Sequence, residues 1–241
     1  MQNHQGNTLL LAGDKCALNP TLLFQFASHW AEIGVRVSYL SATPLNELPP
    51  PIHGADFPSS SALNQIQFLY LPKWQDLMQH LFSLHCHALV PRALIVKGLN
   101  HYCSNVAEQS STKDWTTSDI SRIAHISAVL LDALKVCSAR NGAEETYCVC
   151  SYEVDNGLES QFLVPCLSAF SIFFDNIWIV ESMSRGCCEH NARNCKSSDK
   201  CSVIKMKKLL TSGLKEDGSI VEFSSCSNVL FLTRFLNVLW S

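Results

Sequence analysis

The stretch that most constrains this chain is residues 8–26. There an apolar run, Leu9-Leu10-Leu11-Ala12, meets Gly13 and is followed by the amphipathic segment Thr21-Leu22-Leu23-Phe24-Gln25-Phe26. A buried strand, a turn beginning at Gly13 and a helix is the reading that fits these periods. The same outline frames a phosphate loop, G-x-x-x-x-G-K-[ST]. In such a loop glycine lets backbone N–H groups close on phosphates, lysine reaches the terminal ones and the hydroxyl holds magnesium. Of these residues the first glycine is kept. Counting on from Gly13 puts Leu18 at the second glycine, Asn19 at the lysine and Pro20 at the hydroxyl, and Thr21 stands one place late. Two readings stand side by side: a nucleotide-binding frame that has lost its charged chemistry, and an ordinary buried strand before a helix.

A chain of 241 residues suits one sizeable α/β domain, and 47% apolar residues can fill its core. The net charge of −3 excludes a global basic field, so nucleic-acid contact would come from a local patch or from a partner. There are 12 cysteines, yet Met1-Gln2-Asn3-His4-Gln5-Gly6 lacks the basic-then-apolar layout of a secretion signal. Reduced thiols in an intracellular chain are therefore expected, with Cys137, Cys148 and Cys150 packing as small hydrophobes inside apolar segments. Residues 170–180 are interrupted by Asp175 and residues 229–240 by Arg234, so no apolar run is long enough to cross a bilayer. A soluble chain without a membrane partner is expected.

Apolar positions at helical spacing predict helices over 21–33, stopped by Gly34, and over 74–87. A third helix is expected over 119–140, capped by Thr117 or Ser118 and closed by Asn141-Gly142. A fourth, over 158–170, should bend near Pro165. Short runs at 35–40, 66–70, 93–96, 147–150 and 177–180 read as strands, with 93–96 apolar on both faces as a central parallel strand should be. Pro44, Pro49, Pro50, Pro51 and Pro58 make 43–61 a surface loop, and the polar stretch 104–114 is another. Residues 203–210 and 220–223 suggest a hairpin at the sheet edge. Strands alternating with helices predict a mostly parallel sheet covered on both faces.

This order of elements resembles that of the RecA-type recombinases. More narrowly, four runs resemble the RecA-like recombinase paralogues that associate with SWIM-type zinc finger proteins in Shu-type complexes. They are Leu9-Leu10-Leu11-Ala12-Gly13, Thr21-Leu22-Leu23-Phe24, Ile66-Gln67-Phe68-Leu69-Tyr70-Leu71-Pro72 and Ala93-Leu94-Ile95-Val96-Lys97-Gly98-Leu99-Asn100-His101-Tyr102. Beyond Tyr102 the resemblance rests on element order and on residues 219–223 after Asp217-Gly218. It implies a single α/β domain over 1–241, a RecA-like P-loop NTPase core at about 8–182 with a C-terminal hairpin and tail at about 183–241. It further implies a nuclear subunit of homologous recombination DNA repair. The implied partners are a SWIM-type zinc finger protein, a RecA-type recombinase and single-stranded DNA.

The chain departs from that pattern at each charged position. The acid that should end the 93–96 strand and hold magnesium is replaced by Lys97. The carboxylate that should close the 35–40 strand is replaced by Ser41-Ala42-Thr43, with Glu47 lying beyond Pro44. Phosphoryl transfer is almost entirely positioning and charge stabilisation, and each such element carries a few kcal/mol of barrier. A chain lacking all of them is expected not to hydrolyse ATP and to require no cofactor, and no catalytic residue is assigned. The degenerate nucleotide site comprises Gly13, Asp14, Lys15, Asn19, Thr21 and Lys97, with Lys15 and Lys97 placed to substitute for the lost lysine. ATP is the ligand this frame could still take. The competing expectation is an active, DNA-stimulated ATPase with an unorthodox loop.

Arg185, Arg193, Lys196, Lys200, Lys205, Lys207 and Lys208 are set against Glu189 and Asp199. From this group Lys196, Lys200, Lys205, Lys207 and Lys208 are the candidate contacts to phosphates of single-stranded DNA, the alternative being a solvated face. The loops that grip DNA in the recombinase layout would be 100–115, where Lys113 stands beside Glu108 and Asp114, and 153–160, which has no basic residue. Cys187, Cys188, His190, Cys195 and Cys201 are zinc-ligand types at irregular spacing without a C-x-x-C pair, and no metal is assigned. The apolar residues 229–240 either complete the core or, if exposed, form a docking surface.

Overall fold

The computed structural model describes residues 7–14, 20–52, 56–103, 117–154, 163–184, 202–210, 215–226 and 229–236. The short apolar runs become strands: β1 (Asn7–Asp14), β2 (Val37–Ser41), β3 (Ile66–Tyr70), β4 (Ala93–Lys97), β5 (Tyr147–Val154) and β6 (Asn176–Ser184). They pair in the order β3-β2-β4-β5-β1-β6, every neighbour parallel. β7 (Ser202–Leu210), β8 (Lys215–Cys226) and β9 (Val229–Leu236) extend the sheet beyond β6 as an antiparallel meander, giving nine strands among the described residues.

Helices cover both faces. α1 (Pro20–Glu32) and α2 (Ser60–Leu63) lie on one; α3 (Trp74–Ser83), α5 (Thr117–Arg140) and α6 (Leu163–Phe170) lie on the other; the short α4 (Asn100–Cys103) comes just after β4. The alternation of side chains along each strand divides the core accordingly. Leu10, Ala12, Leu94, Val96, Cys148 and Cys150 pack with Leu81, Ile126, Leu130 and Phe170. Leu11, Tyr39, Ile95 and Val149 pack with Leu23, Phe24 and Ala27 of α1. α1 stops where expected: Gly34 takes a φ of 80°, its N–H donates to the Ala31 carbonyl at 3.0 Å, and the Val35 N–H donates to the Trp30 carbonyl at 2.9 Å.

The mostly parallel sheet with helices on both faces is as the alternation of runs implied. Three details differ. The edge hairpin is a meander, because residues 229–236 pair with β8; Leu230 is fully buried while Leu232, two residues on and so on the same face, is 42% exposed, which shows the core's cover ending along this outer strand. β5 continues past Cys150 to Val154, since Tyr152 is buried and the added residues pair with β1. The described part of α6 begins at Leu163, and residues 155–162 lie outside the described residues.

A polar clamp closes the end of the sheet opposite the loop after Gly13. The Thr8 hydroxyl and N–H both donate to Asp175 Oδ2, at 2.8 and 3.3 Å, and the Asp175 N–H donates back to the Thr8 hydroxyl at 2.8 Å. Thr8 is 2% exposed, so this exchange satisfies buried groups at the start of β1 and fixes it to the turn before β6. Cys103, Cys137, Cys148, Cys150 and Cys166 are buried free thiols and Cys86 is exposed. Among the described helices none is long and apolar enough to cross a membrane.

Candidate functional site

In open α/β sheets ligands gather beyond the carboxyl ends of the parallel strands. On the α1 face those ends carry Gly13, Ser41, Lys97 and Glu153, each in phase with core residues that contact α1. The chemistry available there depends on how each is held.

Gly13 is not the start of a turn. It is still strand, opposite Glu153 of β5 on one side and Val180 of β6 on the other, and β1 runs on through Asp14. Its φ is not positive. A Cβ at this position would lie 2.9 Å from the Val180 carbonyl carbon and nearer still to its oxygen, so glycine is required by the close approach of β6. Pro20 opens α1, where it offers no backbone N–H to a phosphate, and Thr21 behind it is buried. Lys15 and Asn19 lie outside the described residues, as does the side chain of Asp14.

Ser41 cannot stand in for a general base. Its hydroxyl donates to the Thr43 carbonyl at 2.7 Å and accepts the Thr43 N–H at 3.3 Å, so both capacities are used in a local turn. Lys97 ends β4 half-buried, and its ammonium makes no ion pair or hydrogen bond among the described residues. Gly98 then turns the chain with a φ of 70°. The turn is pinned to β5: the Gly98 N–H donates to Ser151 Oγ at 2.8 Å and the Leu99 N–H to the Ser151 carbonyl at 2.7 Å. The Glu153 N–H in turn donates to Asn100 Oδ1 at 3.1 Å.

Glu153 was not among the residues singled out from sequence. It is a half-buried carboxylate level with Gly13, on the strand between β4 and β1. The signal that could have found it is phase: Val149, Ser151 and Glu153 share a face, so a β5 longer than its apolar run delivers the acid to this edge. Two strands away across β4, and on the same face, Tyr39 of β2 is fully buried, and its hydroxyl has no hydrogen-bond partner among the described residues. Burial pushes this phenol well above its usual pKa, and Glu153 and Tyr70 add to the shift.

The basic residues of β7 are less free than a local count suggested. Lys205 pairs with Glu222 of β8 at 3.8 Å and Lys207 with Glu181 of β6 at 3.4 Å. Lys208, out of phase with both, lies on the opposite face of the strand. Lys196, Lys200 and the set Cys187, Cys188, His190, Cys195 and Cys201 lie outside the described residues, as do residues 104–116. Among the described residues no cluster of His, Cys, Asp and Glu could hold a metal ion.

A groove of about 600 Å³ lies away from the strand ends, between Trp74, Met78 and Phe82 of α3 and His125 of α5. Next to it His80 stands 5.6 Å from His87, ring to ring, and its pKa is lowered by burial and then by that neighbour.

An open, mostly parallel sheet with helices on both faces and polar residues at the strand ends defines a mixed α/β protein of the open-sheet class. No protein-family model matches the chain, and no curated protein matches it. Among solved structures it is similar to the flagellar accessory protein FlaH from Methanocaldococcus jannaschii, with a TM-score of 0.55 over 95% of this chain and 90% of that one. Sequence identity is 10%, so the likeness is one of fold.

Proposed function

We propose that this chain is a RecA-like accessory subunit of homologous recombination that does not turn over ATP. In this reading it pairs in the nucleus with a SWIM-type zinc finger protein and supports RecA-type recombinase filaments on single-stranded DNA. The order of elements and the similarity of fold to FlaH support the RecA-like part. The observation that carries the loss of catalysis is the strand-end edge itself. Where a magnesium acid and a water-polarising carboxylate would serve phosphoryl transfer, the chain presents a lysine, Lys97, and a serine, Ser41, committed to its own turn.

The test is ATP turnover by the purified chain with magnesium and single-stranded DNA, beside affinity capture of a SWIM-domain protein. Background turnover together with capture supports the reading. Turnover removed by Glu153→Gln would replace it with the DNA-stimulated ATPase, because Glu153 is a half-buried carboxylate at this edge among the described residues. DNA contact through β7 would rest on charge that Glu181 and Glu222 leave over. Lys205→Glu with Lys207→Glu and Lys208→Glu should weaken single-stranded DNA binding, most at low salt. An unchanged salt slope would make β7 a solvated face.

A further inference from the structure

The C-terminal end of α3 holds two imidazoles in an arrangement that suits their neutral forms. His80 is half-buried, and its Nε2 is buried with no hydrogen-bond partner among the described residues, although nearly all buried polar atoms find one. The 3₁₀ turn Leu84–Cys86 follows α3 and brings His87 to 5.6 Å from His80, ring to ring. The Ser83 hydroxyl links the pair: it donates to the His80 carbonyl at 2.8 Å and stands 3.4 Å from His87 Nε2. Buried Leu81 and Leu84 join the core cluster that holds Ile126 and Leu130 of α5. Arg140 of α5 fastens the far end of the segment, its Nη2 donating to the His87 carbonyl at 3.0 Å. Around this pair the titratable and charged groups are Asp76 on α3, His101 on α4, His85 in the turn, and Arg122, His125, Asp132 and Arg140 at helical spacing on α5. Asp76 accepts the Lys73 N–H at 3.3 Å, and among the described residues no carboxylate pairs with either imidazole.

We infer that residues 80–87 form an acid-sensitive latch, closed on α5 while His80 is neutral and released when it takes up a proton, so that the groove wall made by Phe82, His85 and Cys86 moves away from α5. The inference is independent of the accessory reading. A proton gives His80 a charge while its Nε2 stays in the same partnerless place, and a charge held there without a counter-ion is costly. Burial is the larger influence holding the proton off His80, and His87 is the second. The open segment therefore binds the proton more readily than the closed one. Closure is at full strength above the ordinary imidazole pKa of 6.5 and weakens as the pH falls below it.

The experiment is amide hydrogen exchange of the full chain at about pH 7.5 and about pH 5.5, corrected for intrinsic rates, with β4 as the internal reference. Opening of residues 80–87 is expected to rise by up to about tenfold at the lower pH, while β4 stays within about twofold. His80→Phe keeps a ring and removes the titrating nitrogens, so the corrected protection of 80–87 should then be the same at both pH values. Should that variant fail to fold, a proton NMR titration of the wild-type His80 ring decides the matter, with a midpoint below 6.5 expected. A loss of protection shared equally by β4, a pH response that survives His80→Phe, or a His80 ring titrating at or above 6.5 overturns the inference.

Discussion

Replacing Gly13 by alanine should unsettle the sheet before it affects any ligand. The added methyl would meet backbone, not a flexible side chain: Val180 Cα at 3.2 Å, its carbonyl carbon at 2.9 Å and its oxygen closer still. Relief requires β1 and β6 to separate where Gly13 and Val180 are in register, beside the β1–β5 pairing of Gly13 with Glu153. Overpacking of a close-packed interior costs about 1–3 kcal/mol, and a backbone obstacle belongs at or above the upper end. With unfolding entropy near 2.1 cal/mol/K per residue, 241 residues give about 0.5 kcal/mol/K, so 3 kcal/mol corresponds to a fall of about 6 °C in melting temperature. The assay is a ligand-free thermal melt with a urea titration alongside, the midpoint falling at unchanged slope. A Gly13→Ala protein melting within a degree of the parent, yet failing to bind nucleotide, would show that the glycine serves a ligand and that the steric reasoning is wrong.

Asp175→Ala leaves the buried Thr8 hydroxyl without its carboxylate and should cost about 1–3 kcal/mol by urea titration; a loss below about 0.5 kcal/mol would refute the clamp. Glu144→Ala removes the Arg92–Glu144 ion pair at 2.6 Å, but the two side chains are 29% and 53% exposed, so a double-mutant cycle should give under about 1 kcal/mol. Burial pushes the Cys137 and Cys166 thiols up to about 11 from 9.0, so the fold holds the protonated forms more tightly than the unfolded chain does. The stability they contribute is therefore complete below pH 9 and lost as pH rises towards 11; a denaturation midpoint flat across that window would contradict it. Peptide mapping after brief maleimide treatment near pH 7.5 should find Cys86 labelled and Cys137 protected, and equal labelling would show the helix bearing Cys137 to be open.

Most of the sheet was legible because its signals are local. A run such as 93–96 is too short and too apolar for anything but an inner strand, and Gly34 marks the end of α1 by a left-handed conformation that glycine adopts more cheaply than other residues. What escaped depends on contacts between distant residues. The partners of Lys205 and Lys207 are Glu222 and Glu181, so a charge count confined to residues 185–208 missed them. Glu153 sits past the apolar part of β5, and its place at the ligand edge comes from pairing with β1 rather than from its own neighbours. Gly13 was legible as a glycine that matters, but its reason, the carbonyl of Val180, lies on a strand that no local motif specifies.

The strand order also sets a timetable for the chain's birth. β1 is made first yet pairs with β5 and β6, Asn7 registering with Tyr147 and Leu9 with Asn176. At a synthesis rate of about 5–20 residues per second, the interval between those partners is about 7–30 s, during which Leu9, Leu10 and Leu11 have no native strand partner. β2, β3 and β4 can align among themselves meanwhile, leaving a growing sheet with an open edge that awaits β5. Such non-local closure slows folding and prolongs exposure of sticky edges. A holdase able to shield an apolar N-terminal strand on the ribosome should therefore raise the yield of this protein more than it raises the yield of one whose first strand pairs with its second.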